Sequence, residues 1–176
     1  MVGILKKRWI ISLLLSGLLI SGCGSKEDNQ QVLKGFLPTE LTGMQLKDSS
    51  VGINQIQDTD IVQAEAEYVA DSGGGSIYVT ITDGVNLSGV AKLALTAWTL
   101  KDFNRENDNG YERSIKYKDY NAMEKYDNNN REGVVRVYVA ERFIVEVEGN
   151  QVNMDAVKQA VDKIDVEKLA ALASGS

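Results

Sequence analysis

The feature that most constrains the fold is a strict alternation of apolar and polar residues in several short segments. In residues 61–70 apolar side chains alternate with glutamine and glutamate, and residues 76–83 alternate in the same way. This period of two is typical of strands that bury one face. Residues 71–75 (DSGGG) form a turn signal between them, so the two segments are predicted to form a β-hairpin.

Further segments extend the predicted sheet. Residues 133–140 and 142–148 form the clearest pair, because valines at every second position of the first segment match an alternating Phe-Ile-Val-Glu pattern in the second. Additional strands are predicted in residues 44–56, 111–118 and 121–127.

Two segments have the spacing of amphipathic helices. Residues 86–103 begin with Asn86 at an N-cap position and repeat apolar residues at helical spacing. A second helix is predicted from Asn153 or Asp155 to Ile164, and Asp165 is expected to cap a final helical turn. Strands joined by short turns and interrupted by helices predict an α+β fold, an antiparallel sheet with two main helices packed on one face. Residues 36–176 are expected to form this single domain.

The order of these elements resembles that of the PsbP and Mog1-like family of small α+β domains. The resemblance rests on element order and on no motif. A shared fold does not carry a function with it, so it implies no functional residue.

The amino terminus has the organisation of an export signal. Lys6, Lys7 and Arg8 precede an apolar stretch, residues 9–20, of 12 residues. This is shorter than the roughly 20 residues needed to cross a bilayer and matches the core of a signal peptide. The next residues, Ile20-Ser21-Gly22-Cys23, resemble the lipobox of bacterial lipoproteins.

The lipobox resemblance implies where the chain acts. It makes residues 1–22 a cleaved signal peptide, places two or three acyl chains such as palmitate on Cys23, and leaves residues 23–35 as a lipidated tether. Two or more chains hold a protein stably on a membrane. The expected location is extracytoplasmic and membrane-anchored, in the outer membrane where the host has one, because Gly24 follows the cysteine rather than Asp. The alternatives are a plain signal peptide cut before a free cysteine and an uncleaved anchor.

Composition excludes several functions. The chain has no histidine and one cysteine, which excludes Ser-His-Asp chemistry and thiolate zinc sites. Without the leader it carries 16 basic and 25 acidic residues, a net charge of −9, which argues against nucleic acid as a partner and against adhesion of the domain surface to anionic lipid. We therefore expect no catalytic residues, no metal and no cofactor. The Asn/Asp-rich residues 102–110 and 127–132 do not match the calcium-loop pattern and are expected to be polar loops.

One stretch of this acidic chain is locally basic and aromatic. Tyrosine rings provide contact area and basic groups provide direction, which suits a protein or glycan partner. Tyrosines are also common on the outer faces of strands, which is the alternative. The candidate partner-binding residues are Tyr111, Arg113, Lys116, Tyr117, Lys118, Tyr120, Lys125 and Tyr126.

Three functions remain as hypotheses. The first is a non-catalytic, lipid-anchored envelope domain that binds a protein or cell-wall partner. The second is a carrier of an apolar ligand, in a pocket lined by Val135, Val137, Val139, Trp98 and Phe143. The third is a hydrolase of envelope glycans that uses Glu65 with Glu67, or Glu146 with Glu148, because glycosidases act through two carboxyl groups. A filled core favours the first, an apolar hole the second, and a cleft that gathers glutamates the third.

Overall fold

A computed structural model describes residues 26–56 and 58–174. The leader, the lipobox and Cys23 lie outside the described residues, so the interpretation of the amino terminus stays a prediction.

Eight strands among the described residues form one antiparallel sheet, as the alternating segments predict. The sheet order is β1-β2-β3-β8-β7-β6-β5-β4. Strands adjacent in sequence are paired except where the chain leaves β3 in the middle of the sheet and returns as β4 at its edge. The strands are β1 Met44–Ile56, β2 Thr59–Ala70, β3 Ser76–Asp83, β4 Asn104–Asn107, β5 Gly110–Tyr117, β6 Tyr120–Asp127, β7 Glu132–Val139 and β8 Phe143–Asn150.

Four α-helices accompany the sheet in the described part of the chain. They are α1 Lys26–Lys34, α2 Gly89–Thr96, α3 Met154–Asp162 and α4 Val166–Ser174, and a 3-10 helix, Ala97–Thr99, continues α2. The caps of α3 and α4 are the predicted ones: Asn153 accepts from the Ala156 amide at 2.9 Å and Asp165 accepts from the Lys168 amide at 2.9 Å. Helix α2 is shorter than predicted and starts after Ser88 rather than Asn86.

The main core lies between one face of the sheet and three helices. Its sheet side includes Val79, Val137 and Val145, none of which is exposed. Leu33 of α1, Val157 of α3 and Leu169 of α4 belong to the same buried cluster, together with other residues of β2, β3, β7 and β8. The core is therefore built from the alternating apolar positions of the predicted strands.

Helix α2 belongs to a second, smaller cluster. Leu87 and Ala91 pack there with Ile61 of β2, whereas Ala64 of the same strand belongs to the main core. Positions an odd number apart in a strand point to opposite faces, so α2 contacts the other face of the sheet. The prediction that both main helices share one face is not confirmed: an amphipathic pattern shows which side of a helix is apolar, but not which face of a sheet it covers.

Two segments differ from their predicted structure. The polar stretch expected to be a tether contains α1, in which Leu33 is 2% exposed and Lys34 Nζ donates to the Ser49 carbonyl at 3.1 Å. This corrects the interpretation of residues 26–34 as a linker without structure, since one buried leucine is too weak a periodic signal to read. Residues 104–107 lie in the stretch 102–110 expected to be a polar loop, but they form β4. All four are exposed, so pairing with β5 rather than a burial pattern makes them a strand.

Candidate functional site

A shallow groove lies on the sheet face opposite the main core. Its volume is about 330 Å³, and it runs over β1, β2 and β3 and reaches the side chain of Glu148 on β8. The lining includes Asp48, Ser50, Glu65, Glu67, Tyr78, Thr80 and Glu148; we call this site the sheet groove.

The sheet register explains why the groove gathers the glutamates. Glu67 pairs with Tyr78, which pairs with Glu148 on its other side, and Thr80 lies in the same way between Glu65 and Glu146. Strand β3 thus separates the two glutamate pairs that were considered from the sequence. Because neighbouring strands are about 4.8 Å apart, the backbones of the two pairs are roughly 10 Å apart.

One glutamate of each pair is already engaged. The Tyr78 hydroxyl and Lys47 Nζ both donate to Glu67 Oε1, each at 2.9 Å. The hydrogen bond from Lys47, followed by that from Tyr78, lowers the pKa of Glu67. Glu146 forms an ion pair with Arg136.

The other two glutamates are available in the groove. Within residues 26–56 and 58–174, Glu65 and Glu148 make no side-chain hydrogen bond or ion pair, and both are exposed. Tyr78 lies directly opposite Glu148 and diagonally across from Glu65, with 43% of its surface exposed. The groove therefore presents two free carboxylates beside an accessible aromatic ring.

The four tyrosines of the predicted partner site share one side of β5 and β6. Tyr111 pairs with Tyr126, and Tyr117 pairs with Tyr120. All four pack against the main core rather than standing free. The Tyr117 hydroxyl donates to Asp162 Oδ1 at 2.8 Å and the Tyr126 hydroxyl to the Val152 carbonyl at 3.1 Å. Burial, and then the Asp162 carboxylate, raises the pKa of Tyr117.

Arg113 lies on the same side as these tyrosines and is engaged with a buried carboxylate. Its Nε is 2.6 Å from Oε1 of Glu124, a residue only 1% exposed. Lys158 of α3 approaches the other carboxylate oxygen, with Nζ 2.8 Å from Oε2. The Arg113 guanidinium also lies 4.6 Å from the centre of the Tyr111 ring. This cluster connects β5, β6 and α3.

The lysines of the predicted site lie elsewhere. Lys116 and Lys125 occupy the opposite side of β5 and β6 because they alternate with the tyrosines, and Lys116 Nζ donates to Asn121 Oδ1 at 2.5 Å. Lys118 lies in the turn, 3.4 Å from Glu167 Oε1. The eight residues therefore do not form one surface: the structure brings together Arg113 and the tyrosines, and it places Lys116 and Lys125 on the opposite side of the sheet.

Sequence reasoning did not identify an apolar surface around α2. Its members are exposed by between 50% and 71% and are Val85, Val90, Leu93 and Leu100; we call them the α2 surface. The sequence contains one signal for it, since residues 84–101 include Lys92 and Lys101 but no acidic residue. Val90 belongs to the apolar repeat of residues 86–103, yet it is 70% exposed.

Two further observations concern the described residues. In that part of the chain, no group of three or more Cys, Asp or Glu side chains is placed to hold a metal ion. None of the helices described has both the length and the apolar character that crossing a membrane requires.

No family model matches this chain, and no curated protein or solved structure matches it either. The lipobox and the PsbP and Mog1-like resemblances therefore stay predictions from the sequence.

Proposed function

We propose that this protein is a lipid-anchored, extracytoplasmic domain without catalytic activity that binds a protein or cell-wall partner in the sheet groove. The observation that carries the proposal is the position of Tyr78, which is 43% exposed in the groove, directly opposite the free carboxylate of Glu148 and diagonally across from that of Glu65. The lipobox around Cys23 supplies the membrane attachment.

The groove favours a partner that carries amines. Carboxylates attract ammonium and guanidinium groups, and the face of a tyrosine ring binds the same cations. A basic protein segment and an amine-bearing wall polymer both satisfy this chemistry. The groove is open to solvent, so the attraction is expected to weaken as salt is added.

The buried positions of the apolar residues support a binding domain over a carrier. Val135, Val137, Val139 and Phe143 are between 0% and 2% exposed and belong to the main core. They line neither the sheet groove nor a second cavity of about 370 Å³ beside Ile77 and Ala160. Trp98 lies apart from them in the 3-10 helix.

A carboxylate hydrolase is the second candidate, because the groove gathers Glu65, Glu67 and Glu148 at one place. A glycosidase needs one carboxyl group whose raised pKa keeps it protonated. The pKa of Glu67 is shifted the other way by Lys47 and Tyr78, which makes it a poor proton donor. The geometry consequently supports binding better than hydrolysis.

The test compares two double variants with equal charge change. A photo-crosslinking residue at Thr80, in the groove, is expected to capture a partner in cells, and Glu65→Gln with Glu148→Gln is expected to reduce the crosslinked product. Glu132→Gln with Glu141→Gln removes two exposed glutamates outside the groove and should leave the product unchanged.

Equal crosslinking by both double variants would exclude the groove as the binding site. Release of fragments from cell-wall material by the unchanged protein, lost with Glu65→Gln or Glu148→Gln, would favour the hydrolase instead.

A further inference from the structure

We propose that the partner of the sheet groove is an extended protein segment of alternating apolar and basic residues, which pairs with the open edge of β1 as an additional strand and directs its basic side chains into the groove. This assignment rests on the proposed function of the groove. It adds the class of the partner and the way in which the partner is held.

Strand β1 is the long edge of the sheet. It contains 13 residues and pairs only with β2 among the described strands, whereas β4 at the opposite edge contains four. Every second residue of an edge strand directs its amide and carbonyl away from the neighbouring strand. Ser49 is one of these, because its carbonyl accepts from Lys34 Nζ at 3.1 Å. By alternation, the following ones are Val51, Ile53 and Gln55.

These last three residues have unused main-chain groups. In the described part of the chain, no backbone hydrogen bond outside the β1–β2 ladder involves them. Proteins commonly protect a sheet edge with a bulge or a lysine. Here the register shifts between Leu46 and Asp48, and Lys34 reaches the edge at Ser49. Residues 50–56 have neither kind of protection and are open to a further strand.

On the groove side, this edge lies next to carboxylates. Asp48 of β1 lines the groove together with Glu65 and Glu148, and no lysine or arginine is among the lining residues. Within residues 26–56 and 58–174, none of these three carboxylates makes a side-chain hydrogen bond or an ion pair. Carboxylates without a counter-charge attract ammonium and guanidinium groups. Basic side chains are therefore the complement of this side of the edge.

Gly52 leaves a path from the edge to the groove. It lies on the same side of β1 as Ser50, which lines the groove, and a Cβ at Gly52 would have no heavy atom within 4 Å. Because neighbouring strands are about 4.8 Å apart, the backbone of an added strand lies roughly 10 Å from β2. A lysine of the added strand opposite Gly52 can extend over the glycine towards Glu65.

On the opposite side, the edge is apolar. Leu46 and Ile53 are each 45% exposed, and Val51 between them packs against the main core. Side chains of a strand alternate between its two sides, so the residues of the added strand that lie beside these three are expected to be apolar. The two sides together predict a partner segment in which apolar and basic residues alternate.

The open edge favours a protein segment over the other two possible occupants. An amine-bearing polysaccharide has no regular series of amides and carbonyls to pair with those of β1, whereas an extended peptide has one. A second copy of this chain, pairing through its own β1, would place two acidic grooves side by side on one face of the joined sheet. Like charges on neighbouring strands are unfavourable.

The experiment uses the full chain, purified from membranes in detergent, and a short fluorescent peptide in which valine and lysine alternate. Fluorescence anisotropy measures the affinity, and hydrogen–deuterium exchange locates the peptide on the protein. We expect binding and slower exchange of the amides of residues 50–56. A peptide of the same composition with its lysines in one block is expected to bind about tenfold more weakly or less, because it cannot turn all of them to one side.

One variant removes an outward-facing amide of the edge. Ile53→Pro keeps the ladder with β2 and is expected to weaken binding about tenfold, because it loses a hydrogen bond to the peptide. Asn104→Pro is the matched control on β4 and should leave the affinity unchanged. Its amide also faces outward by alternation, since the carbonyl of the preceding Phe103 accepts from the Ser114 amide at 2.8 Å.

The peptide supplies a second test that leaves the protein unchanged. All strand pairs of this sheet are antiparallel. In an antiparallel pair with β1, the valine amides of the peptide face β1 and the lysine amides face away. N-methylation of the valines is therefore expected to abolish binding, and N-methylation of the lysines to preserve it.

The outcomes separate this inference from the proposed function of the groove. Equal binding of the two methylated peptides, or binding without protection of residues 50–56, overturns the inference. The groove keeps its proposed function if that binding is lost in Glu65→Gln with Glu148→Gln. A dimer in sedimentation that dissociates in Ile53→Pro assigns the edge to a second copy and also overturns it. Peptide held at β1 with an affinity that the glutamate variants do not change contradicts the groove as a binding site, and this inference with it.

Discussion

Glu124 shows how a single residue can depend on its neighbours. The sequence places it among tyrosines and lysines on β6, where an exposed glutamate is the ordinary expectation. The structure buries it under α3, with Arg113 on one carboxylate oxygen and Lys158 on the other. Arg113 and Lys158 each keep 44% of their side-chain surface exposed, whereas the Glu124 side chain is 1% exposed. Only the carboxylate therefore has no access to water.

This difference in exposure predicts which of two variants loses more stability. Arg113→Met with Lys158→Met leaves a buried carboxylate without a counter-charge, and we expect a loss of about 3 kcal/mol or more in the free energy of unfolding. Glu124→Gln is expected to cost less, because its two former partners can turn to solvent. Urea unfolding of both variants measures the order, and a larger loss for Glu124→Gln would contradict the account.

Tyr68 gives a prediction in the alkaline range. Its side chain is fully buried, its hydroxyl donates to the Pro38 carbonyl, and burial raises its pKa from 10.0 to about 12. Since the folded-state pKa is the higher one, the contribution of this residue is complete below pH 10 and is lost as the pH rises towards 12.

Tyr68→Phe removes both the hydrogen bond and the titration. At pH 7 we expect a loss of about 1 kcal/mol relative to the unchanged protein. At pH 11 the gap between the two proteins should be smaller, because only the unchanged one loses stability through Tyr68. Denaturant unfolding at the two pH values measures both gaps, and a gap that stays constant would argue against a buried phenol here.

At the scale of elements, two glycines determine how closely α3 lies on the sheet. Gly133 of β7 and Gly149 of β8 are paired across the strands. A Cβ at Gly149 would lie 2.5 Å from Val157 Cγ2, and one at Gly133 would lie 3.1 Å from the same atom. Because neither residue has a side chain, α3 can lie close against the sheet at this pair.

Gly149→Ala is therefore expected to lower the free energy of unfolding by about 1–3 kcal/mol, the usual cost of overpacking a core. Gly52→Ala is the matched control, because Gly52 also lies in a strand and a Cβ there would have no heavy atom within 4 Å. Thermal unfolding of the two variants tests the difference, and equal midpoints would show that α3 can move away at little cost.

Strand prediction succeeded where side chains alternate between a buried and an exposed side. Residues 61–70, 76–83, 133–140 and 142–148 all coincide with strands, because burial of one face imposes the period. It failed for β4, whose four residues are all exposed and carry no such period. The side of the sheet that α2 covers was also beyond prediction, since it depends on the path from β3 to the far edge of the sheet.

At the scale of the whole molecule, the sheet separates the face that packs the main core from the face that carries the proposed binding groove. Helices α1, α3 and α4 close the core on one face, while the sheet groove and the α2 cluster occupy the other.

The glutamates of the groove could be found from sequence, because their spacing of two puts each pair on one side of a strand. The tyrosine-rich stretch does not form one surface with all of its basic residues, because Lys116 and Lys125 alternate with the tyrosines along β5 and β6 and point away from them. The exposure of the α2 surface could not be predicted, because a helical pattern of apolar residues usually signals burial.

The proposed function depends on attachment at Cys23, because the lipid anchor is what would hold the sheet groove at the membrane outside the cytoplasm. The most direct measurement is the intact mass of the protein extracted from membranes of its host, with Cys23→Ala as the control. We predict the loss of residues 1–22 and added mass equal to two or three acyl chains on Cys23, with none of either in the control. A mature chain with a free thiol at Cys23, or an uncleaved leader, would contradict the proposed anchor.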